Sequence, residues 1–383
     1  MIKVLNIVGA RPQIIKASAI SRTIKERYSD KFEEIIVHTG QHYDKELSSV
    51  FFDELHIPKP HHNLRVGSAR HSKQTASMMM GLEDLLLNIQ PNCVIVYGDT
   101  NSTLAGALAA SKLHCPVVHI EAGLRSFNKN MPEEINRIMC DHVSTLLFSP
   151  TNAGFKNLIK EGFRPENSPP YTIDNPKIFH SGDIMYDNSL FYGELAEKKI
   201  KFLTEIGVKP GEFILATLHR DNNTDIPERL ISIFEAFLLI ARKQNIPVVL
   251  PLHPRTTLAL EKNFSNGLFD EIKKEPLLKL LPPVSFLEVI LLEKNARLIM
   301  TDSGGIQKEA HFFRKPCVIF RKETEWVELV KNKTSVLVDA DKEKIIKAVT
   351  DFGKMSKELD FPKFYGDGKT AEFICEEMVK TFG

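Results

Sequence analysis

The 383 residues hold 50 Lys and Arg against 49 Asp and Glu, so a formal charge of +1 offers no handle for nucleic acid or an anionic membrane. With 43% apolar and 26% charged residues the composition is that of a globular protein, and its length exceeds one ordinary core, so two domains are expected. Five scattered cysteines without a Cys-x-x-Cys pair read as buried free thiols, and no run approaches about 18 apolar residues, so no membrane-spanning segment is expected.

The first apolar run, Lys3–Val8, is a strand. It is broken by Lys3 and Asn6 and leads into Arg11-Pro12 with no cleavage site, unlike a signal sequence, so a cytoplasmic address is expected. Further strands are expected at Glu34–His38, Cys93–Tyr97, Pro116–Ile120 and Thr145–Phe148. Between them, Ile14–Ile24, Met78–Ile89, Thr103–Leu113 and Glu134–Val143 have the apolar spacing of helices. This alternation predicts βαβ units and a mostly parallel sheet covered on both faces. Arg164–Pro176, with four prolines in 13 residues, reads as a loop near a domain boundary. Strands resume at Lys177–His180, Phe213–Thr217, Val248–Leu252, Arg297–Thr301, Pro316–Phe320 and Ser335–Val338. The expected fold is α/β: two Rossmann-like, doubly wound domains, 1–170 and 171–365. A final segment, 366–383, contains a helix near Thr370–Lys380 that is expected to pack back on the first domain.

Nearly every expected strand runs into a polar or glycine-containing turn. These are Gly9-Ala-Arg-Pro12, Thr39-Gly-Gln-His42, Gly98-Asp-Thr100, Glu121-Ala-Gly-Leu-Arg125, Gly182-Asp183, Leu218-His-Arg220, His253-Pro-Arg255 and Asp302-Ser-Gly-Gly305. Open parallel sheets bind ligands beyond the carboxyl ends of their strands. Two such domains facing one another would set both groups of turns around one cleft, where the chemistry is expected.

In Asp302-Ser-Gly-Gly-Ile-Gln-Lys-Glu309 a strand gives way to glycines and a helix start. Backbone N–H groups and a helix N-terminus hold phosphate in such a turn, although a plain tight turn with Ser303 as N-cap explains the same residues locally. The segment matches neither the dinucleotide glycine pattern nor the P-loop, which speaks against nicotinamide and P-loop ATP chemistry. Glu309, one and a half turns into the helix, either reaches ribose hydroxyls or is solvated. Pro12 suits a first helical position, setting Arg11 before the helix and Lys16 in its second turn. Two cations there either clamp a diphosphate or are ordinary surface charges. His219 and Arg220 would add phosphate contacts from the other domain.

The acidic set is Asp99, Glu121, Glu133 and Glu134. Asp99 as an N-cap, and Glu133 and Glu134 in a first helical turn after Pro132, have ordinary structural roles open to them. Glu121 ends an apolar run and has no obvious capping role. Carboxylates converging opposite a cationic clamp would make an acid/base site beside a leaving-group site. The thirteen histidines lack zinc spacing, so no metal is expected.

Taken in order, these motifs resemble the non-hydrolysing UDP-N-acetylglucosamine 2-epimerases. The matching segments are GARPQIIKA at 9–17, HTGQHYD at 38–44, VYGDTNSTLAGALAASKL at 96–113, HIEAGLRSFN at 119–128, MPEEINR at 131–137, LHR at 218–220 and TDSGGIQKEA at 301–310. The resemblance implies a glycosyltransferase-B-type fold with the two domains facing across a cleft, a homodimer, and a UDP-sugar substrate with UDP held mainly by the second domain. It implies that Arg11, His219, Ser303, Gly304 and Gly305 meet the diphosphate, with Arg137 on the phosphate side and Glu309 at the ribose. Lys16, Asp99, Glu121 and Glu133 surround the sugar, and His219 joins them among the catalytic residues. No cofactor is implied.

The implied reaction eliminates UDP as the C2 proton is removed, giving a 2-acetamidoglucal, and re-adds UDP with the proton delivered to the other face. The C2 proton has no adjacent carbonyl. Departure of UDP, stabilised by the clamp, builds cationic character at C1 and acidifies C2. Pro12 separates the chain from the hydrolysing branch, which typically reads GTRAD. GARPQ and HFFRKPCVIFRKETEWVELV at 311–330 lean toward a sub-branch acting on UDP-2,3-diacetamido-2,3-dideoxy-glucuronate. Where some bacterial members bind a second UDP-sugar through an Arg-Gln pair, this chain has Lys73-Gln74. The alternatives from other classes are a glycosyltransferase of the same fold, which has little use for three carboxylates around C2, and a silent UDP-sugar binder.

Overall fold

The computed structural model describes residues 1–41, 57–252, 254–263, 267–355 and 358–383. His42, Tyr43 and Asp44 of the HTGQHYD segment, and His253 of the His253-Pro-Arg turn, lie outside them. By its internal contacts the chain divides into two compact units. One is Met1–Asn188 with Lys363–Gly383, and the other is Ser189–Pro362.

In the first unit β1 (Ile2–Val8), β2 (Phe32–His38), β3 (His62–Asn63), β4 (Cys93–Tyr97), β5 (Val117–Ile120), β6 (Leu146–Ser149) and β7 (Lys177–His180) form one sheet. Its order is β3-β2-β1-β4-β5-β6-β7, and every pairing is parallel. The central strands read as unbroken apolar runs because helices cover both faces. All five residues of β4 are fully buried. The helix Asn101–Lys112 lies close on the sheet because its inner face is Ala and Gly. A Cβ added at Gly106 would come 2.8 Å from the Ile7 side chain, so a larger residue there would push the helix off the sheet.

In the second unit β8 (Ile214–Thr217), β9 (Val248–Pro251), β10 (Leu278–Leu281), β11 (Leu298–Thr301), β12 (Cys317–Ile319) and β13 (Ser335–Leu337) repeat the plan in the order β10-β9-β8-β11-β12-β13. This sheet too is parallel throughout. Phe234, Phe237 and Phe320 meet in its core, with ring centroids 5.4 and 5.8 Å apart. Burying each stabilises the fold by about 1.5–3 kcal/mol. Both units are doubly wound α/β sheets. Among the described residues no helix is long and apolar enough to cross a membrane.

The structure corrects several boundaries. The division falls after Asn188, within the helix Ile184–Ala196, and not at 170. β7 decides this: it pairs with β6 over four residues, so the proline-rich loop 164–176 lies inside the first unit. That loop is tied down by Lys177, whose Nζ donates to the Pro165 and Asn167 carbonyls. The chain re-enters the first unit at Lys363, slightly before 366. The last helix, Thr370–Phe382, packs there on Arg11–Arg27, with an Arg27–Glu372 ion pair across the contact. Two strands were not expected. β3 is two residues paired with Val37 and His38, and β10 is a Leu-Lys-Leu-Leu segment without β-branched residues.

Candidate active site

In each sheet the strand order reverses once, between β1 and β4 in the first unit and between β8 and β11 in the second. At such a switch point the loops diverge to opposite faces and leave a crevice beyond the strand ends. The turns singled out in the sequence fall at these places. Gly9-Ala-Arg11 follows β1 and Gly98-Asp-Thr100 follows β4, while Leu218-His-Arg220 follows β8 and Asp302-Ser-Gly follows β11.

In the first unit the helix after β1 begins at Arg11 itself, with Ala10 as N-cap. Arg11 is therefore the first helical residue and does not precede the helix as expected; Pro12 occupies the second position. Ala10 has no capping side chain, and Gln13 substitutes for it. Its Oε1 accepts the Gly9 and Ala10 N–H groups, while its Nε2 donates to the Tyr97 carbonyl and Thr103 Oγ1. One buried amide thus binds the turn after β1 to the turn after β4. Gly9 is required at this junction, since a Cβ there would lie 1.9 Å from Ser102 Oγ.

Asp99 is not a helix cap. Thr100 takes that place, its hydroxyl accepting from the Thr103 N–H. Asp99 instead pairs with Arg137, whose other arm reaches Glu134 at 2.7 Å. Burial raises the Asp99 carboxyl above its ordinary value; Arg137 opposes the rise, Glu121 adds to it and Lys16 opposes it. The carboxylate still exposes 31% of its side chain, so a ligand can reach it. Glu121 follows β5 with a φ of +77°, a conformation that costs a non-glycine residue about 1–3 kcal/mol and clusters at functional sites. Its carboxylate forms an ion pair with Lys16, and the two retain only 15% and 14% side-chain exposure. A Cβ on Gly98 would lie 3.1 Å from Glu121 Oε2, so the Asp99 turn rests against this pair.

The structure therefore brings Lys16, Asp99, Glu121 and Arg137 together, but leaves Glu133 exposed and outside their network. Glu134 is the buried one of the pair. It accepts the Ser126 and Phe127 N–H groups and so fixes the loop leading into its helix; burial works against its charge, but these bonds and Arg137 hold its carboxyl below the ordinary value. Gln74 is occupied as well, donating to the Gln41 and Gly67 carbonyls and accepting from Asn101. Arg11 is exposed at the helix start.

In the second unit Asp302 organises the turns. It is fully buried and accepts the backbone N–H groups of His219 (3.2 Å) and Arg220 (3.0 Å), the Asn223 amide (3.1 Å) and, at 3.3 Å, His219 Nδ1. His219 keeps 45% of its side chain exposed. Ser303 is the N-cap of the helix Gly304–Phe312 but its hydroxyl makes no capping bond. Neither Gly304 nor Gly305 has a positive φ, and an added Cβ would meet nothing closer than 3.8 Å at Gly304 or 3.9 Å at Gly305. Packing within the protein does not demand these glycines; a ligand lying against the backbone would. Glu309 is half-buried one turn further on. Trp326 Nε1 donates to the Gly304 carbonyl, and Lys308 lies 4.3 Å from the Trp326 ring centroid.

Residues 24–379 match the UDP-N-acetylglucosamine 2-epimerase family. The chain belongs to this family. Among its members, the UDP-2,3-diacetamido-2,3-dideoxy-D-glucuronate 2-epimerase of Pseudomonas aeruginosa is 48% identical over 380 residues, covering 99% of each chain. A UDP-N-acetylglucosamine 2-epimerase homolog of Methanococcus maripaludis is 47% identical over 377 residues, 98% of this chain and 99% of that one. The crystal structure of the Methanocaldococcus jannaschii UDP-GlcNAc 2-epimerase in complex with UDP-GlcNAc and UDP matches with a TM-score of 0.81 at 40% identity, covering 99% of this chain and 100% of that one. Members of this epimerase family are isomerases of UDP-sugars, and the protein is an enzyme of that class.

Several groups that shape the site were not singled out in the sequence. Gln13 and Asp302 act through backbone N–H groups, and His119 with Asp141 is buried beneath the Gly98 turn. Gln13, His119 and Asp302 lie within motifs read for other residues, and Asp141 lies outside every motif, on the helix Pro132–His142.

Proposed function

We propose that the protein interconverts UDP-N-acetylglucosamine and UDP-N-acetylmannosamine by elimination and re-addition of UDP. The observation that carries this reading is the Lys16–Glu121 pair resting against an Asp99 whose proton affinity burial has raised, at the carboxyl ends of adjacent strands. Burial makes a carboxylate a stronger base toward a weakly acidic C–H, and neighbouring cations oppose that rise so that it stays ionised and able to accept the proton. In the forward step the C1–oxygen bond breaks and its electron pair leaves with UDP. The C2 proton passes to a carboxylate of the first unit and a C1–C2 double bond forms. In the return step UDP attacks C1 and the proton enters C2 from the opposite face.

In this assignment Asp99, Glu121 and Glu133 provide the carboxylates, and Lys16 supports Glu121. Arg137 holds Asp99 in place. The diphosphate belongs to Arg11, His219, Ser303, Gly304 and Gly305, and the ribose to Glu309. The open backbone at the two glycines supports the diphosphate role. The reading includes a homodimer in the cytoplasm. Met80 and Leu87, 69% and 58% exposed on the helix His71–Ile89, are apolar surface of the kind a second copy covers.

A second substrate, UDP-2,3-diacetamido-2,3-dideoxy-glucuronate, is favoured by the 48% identity to the enzyme that bears its name. Both nucleotide sugars, incubated separately with purified protein and followed by proton NMR, decide between them. Formation of the C2 epimer from UDP-N-acetylglucosamine supports the proposal, and turnover of the diacetamido uronate alone moves the assignment to the second substrate. Transfer of the sugar to an acceptor with C2 unchanged would contradict both.

A further inference from the structure

His119 lies in β5, two residues before Glu121, and is fully buried. Its Nδ1 is 2.8 Å from Asp141 Oδ1 and its Nε2 is 2.8 Å from the Gly98 carbonyl oxygen. A carbonyl oxygen only accepts hydrogen bonds, so Nε2 carries a proton. On the other side, Asp141 already accepts the Gly123 N–H at 3.1 Å and lies 2.7 Å from the Arg125 guanidinium. A buried guanidinium paired at that distance, with a backbone N–H on the same oxygen, holds Asp141 as the ionised carboxylate. An ionised carboxylate also only accepts, so Nδ1 carries a proton as well.

We infer that His119 is a doubly protonated positioning residue whose imidazolium, anchored by Asp141, holds the Gly98 carbonyl and so sets the Asp99 turn against the Lys16–Glu121 pair. Gly98 has a φ of +64°, open to glycine at little cost, and its Cα faces Glu121 Oε2 and Lys16 Nζ. The carbonyl bond from below and the ion pair above fix the turn between them. The charged groups tied to the ring are Asp141 and, through it, Arg125; those on the turn that the ring holds are Asp99 with Arg137 and Glu121 with Lys16. Asp141 and Arg137 are on the helix Pro132–His142, Arg125 and Glu121 follow β5, Lys16 is on Arg11–Arg27, and Asp99 follows β4. A cation beneath the turn also lowers the energy of carboxylates on it in their ionised form. The role of the turn in turnover rests on the function proposed above; the charge of the ring does not.

The test is nitrogen NMR of the full chain labelled with ¹⁵N-histidine, at neutral pH and without substrate. The His119 signals are identified by their loss in His119→Gln. Both ring nitrogens are expected to carry protons, as the two acceptors require; one unprotonated nitrogen overturns the inference. His119→Gln keeps one N–H donor but loses the charge. It is expected to lower kcat about a hundred-fold with UDP affinity unchanged, and to shift the acidic limb of the kcat profile to higher pH. Loss of kcat with an unmoved limb overturns the charge's role. Should that variant fail to fold, Asp141→Asn is expected to give a neutral ring and the same shift, and an unchanged ring and limb there overturn the inference. A doubly protonated ring in wild-type protein that epimerises neither UDP-sugar contradicts the proposed function and not the assignment of the ring.

Discussion

The two units share one strand plan but furnish its switch point differently. In the first, the strand ends carry side-chain charges in mutual contact: Lys16 with Glu121, and Arg137 with Asp99 and Glu134, above the buried His119–Asp141 pair. In the second, a single buried acid, Asp302, locks the backbone of His219 and Arg220, and the helix start beside it consists of two unobstructed glycines. Proton transfer needs groups whose affinities are set by each other, and these must be side chains. Holding an anion needs close backbone approach and a helix N-terminus, which side chains would obstruct. On the function proposed above, this difference gives proton chemistry mainly to the first unit and anion holding mainly to the second.

The sharpest way to break this contrast is Glu121→Gln, which keeps the shape of the side chain and removes its charge from the Lys16 pair. Turnover is expected to fall about a thousand-fold while UDP affinity, measured by calorimetry, changes little. Comparable losses in both would dissolve the division of labour. Gly304→Ala probes the other half. The added Cβ meets no protein atom within 3.8 Å, so thermal stability is expected to stay within about 1 kcal/mol. UDP affinity should drop about ten-fold, because on the proposed reading the methyl group would stand where the diphosphate approaches the backbone. Unchanged affinity would place the nucleotide elsewhere.

A smaller effect concerns how the first unit holds its terminal helix. Asp187 accepts the Ala371 N–H at 2.7 Å, and burial pushes its carboxyl up to about 6. Its folded value lies above that of an unfolded Asp, so the folded state binds the extra proton and stability falls as pH rises through about 6. Asp187→Asn keeps the acceptor and removes the charge. It is expected to stabilise by about 1–2 kcal/mol at pH 8 and by little at pH 4, read as shifts in the denaturation midpoint. A uniform gain at both pH values would contradict the burial account.

Much of this was legible in the sequence. The parallel strands announced themselves as β-branched runs, and Cys93–Tyr97 and Lys177–His180 were found with their observed limits. β3 and β10 were not, because one is only two residues long and the other is leucine-rich. The unit boundary at 188 was misplaced at 170 because proline density marks a loop, whereas the strand pairing of β7 decides to which sheet the chain belongs. At the site, Glu121 stood out because no structural role explained it, and its positive φ agrees with that. Asp99 was read ambiguously as a cap because Thr100, one residue later, is the true one. Glu133 and Glu134 are adjacent acids, and only the fold shows that Glu134 is buried on Ser126 and Phe127 while Glu133 is exposed. His119 and Asp302 act on backbone groups from distant strands, and such partners leave no local pattern. Gln13, at the third helical position, also caps its own helix start, a local signal that was passed over.

The central claim is that carboxylates of the first unit carry the C2 proton. It is tested most directly by incubating the protein with UDP-N-acetylglucosamine, and in parallel with the diacetamido uronate, in D₂O and recording proton NMR spectra. The account predicts that the epimer and recovered substrate both gain deuterium at C2, with a trace of free UDP and the glucal, and that Glu121→Gln abolishes the exchange. Epimer formed with the original proton retained at C2, or undiminished exchange in Glu121→Gln, would contradict it.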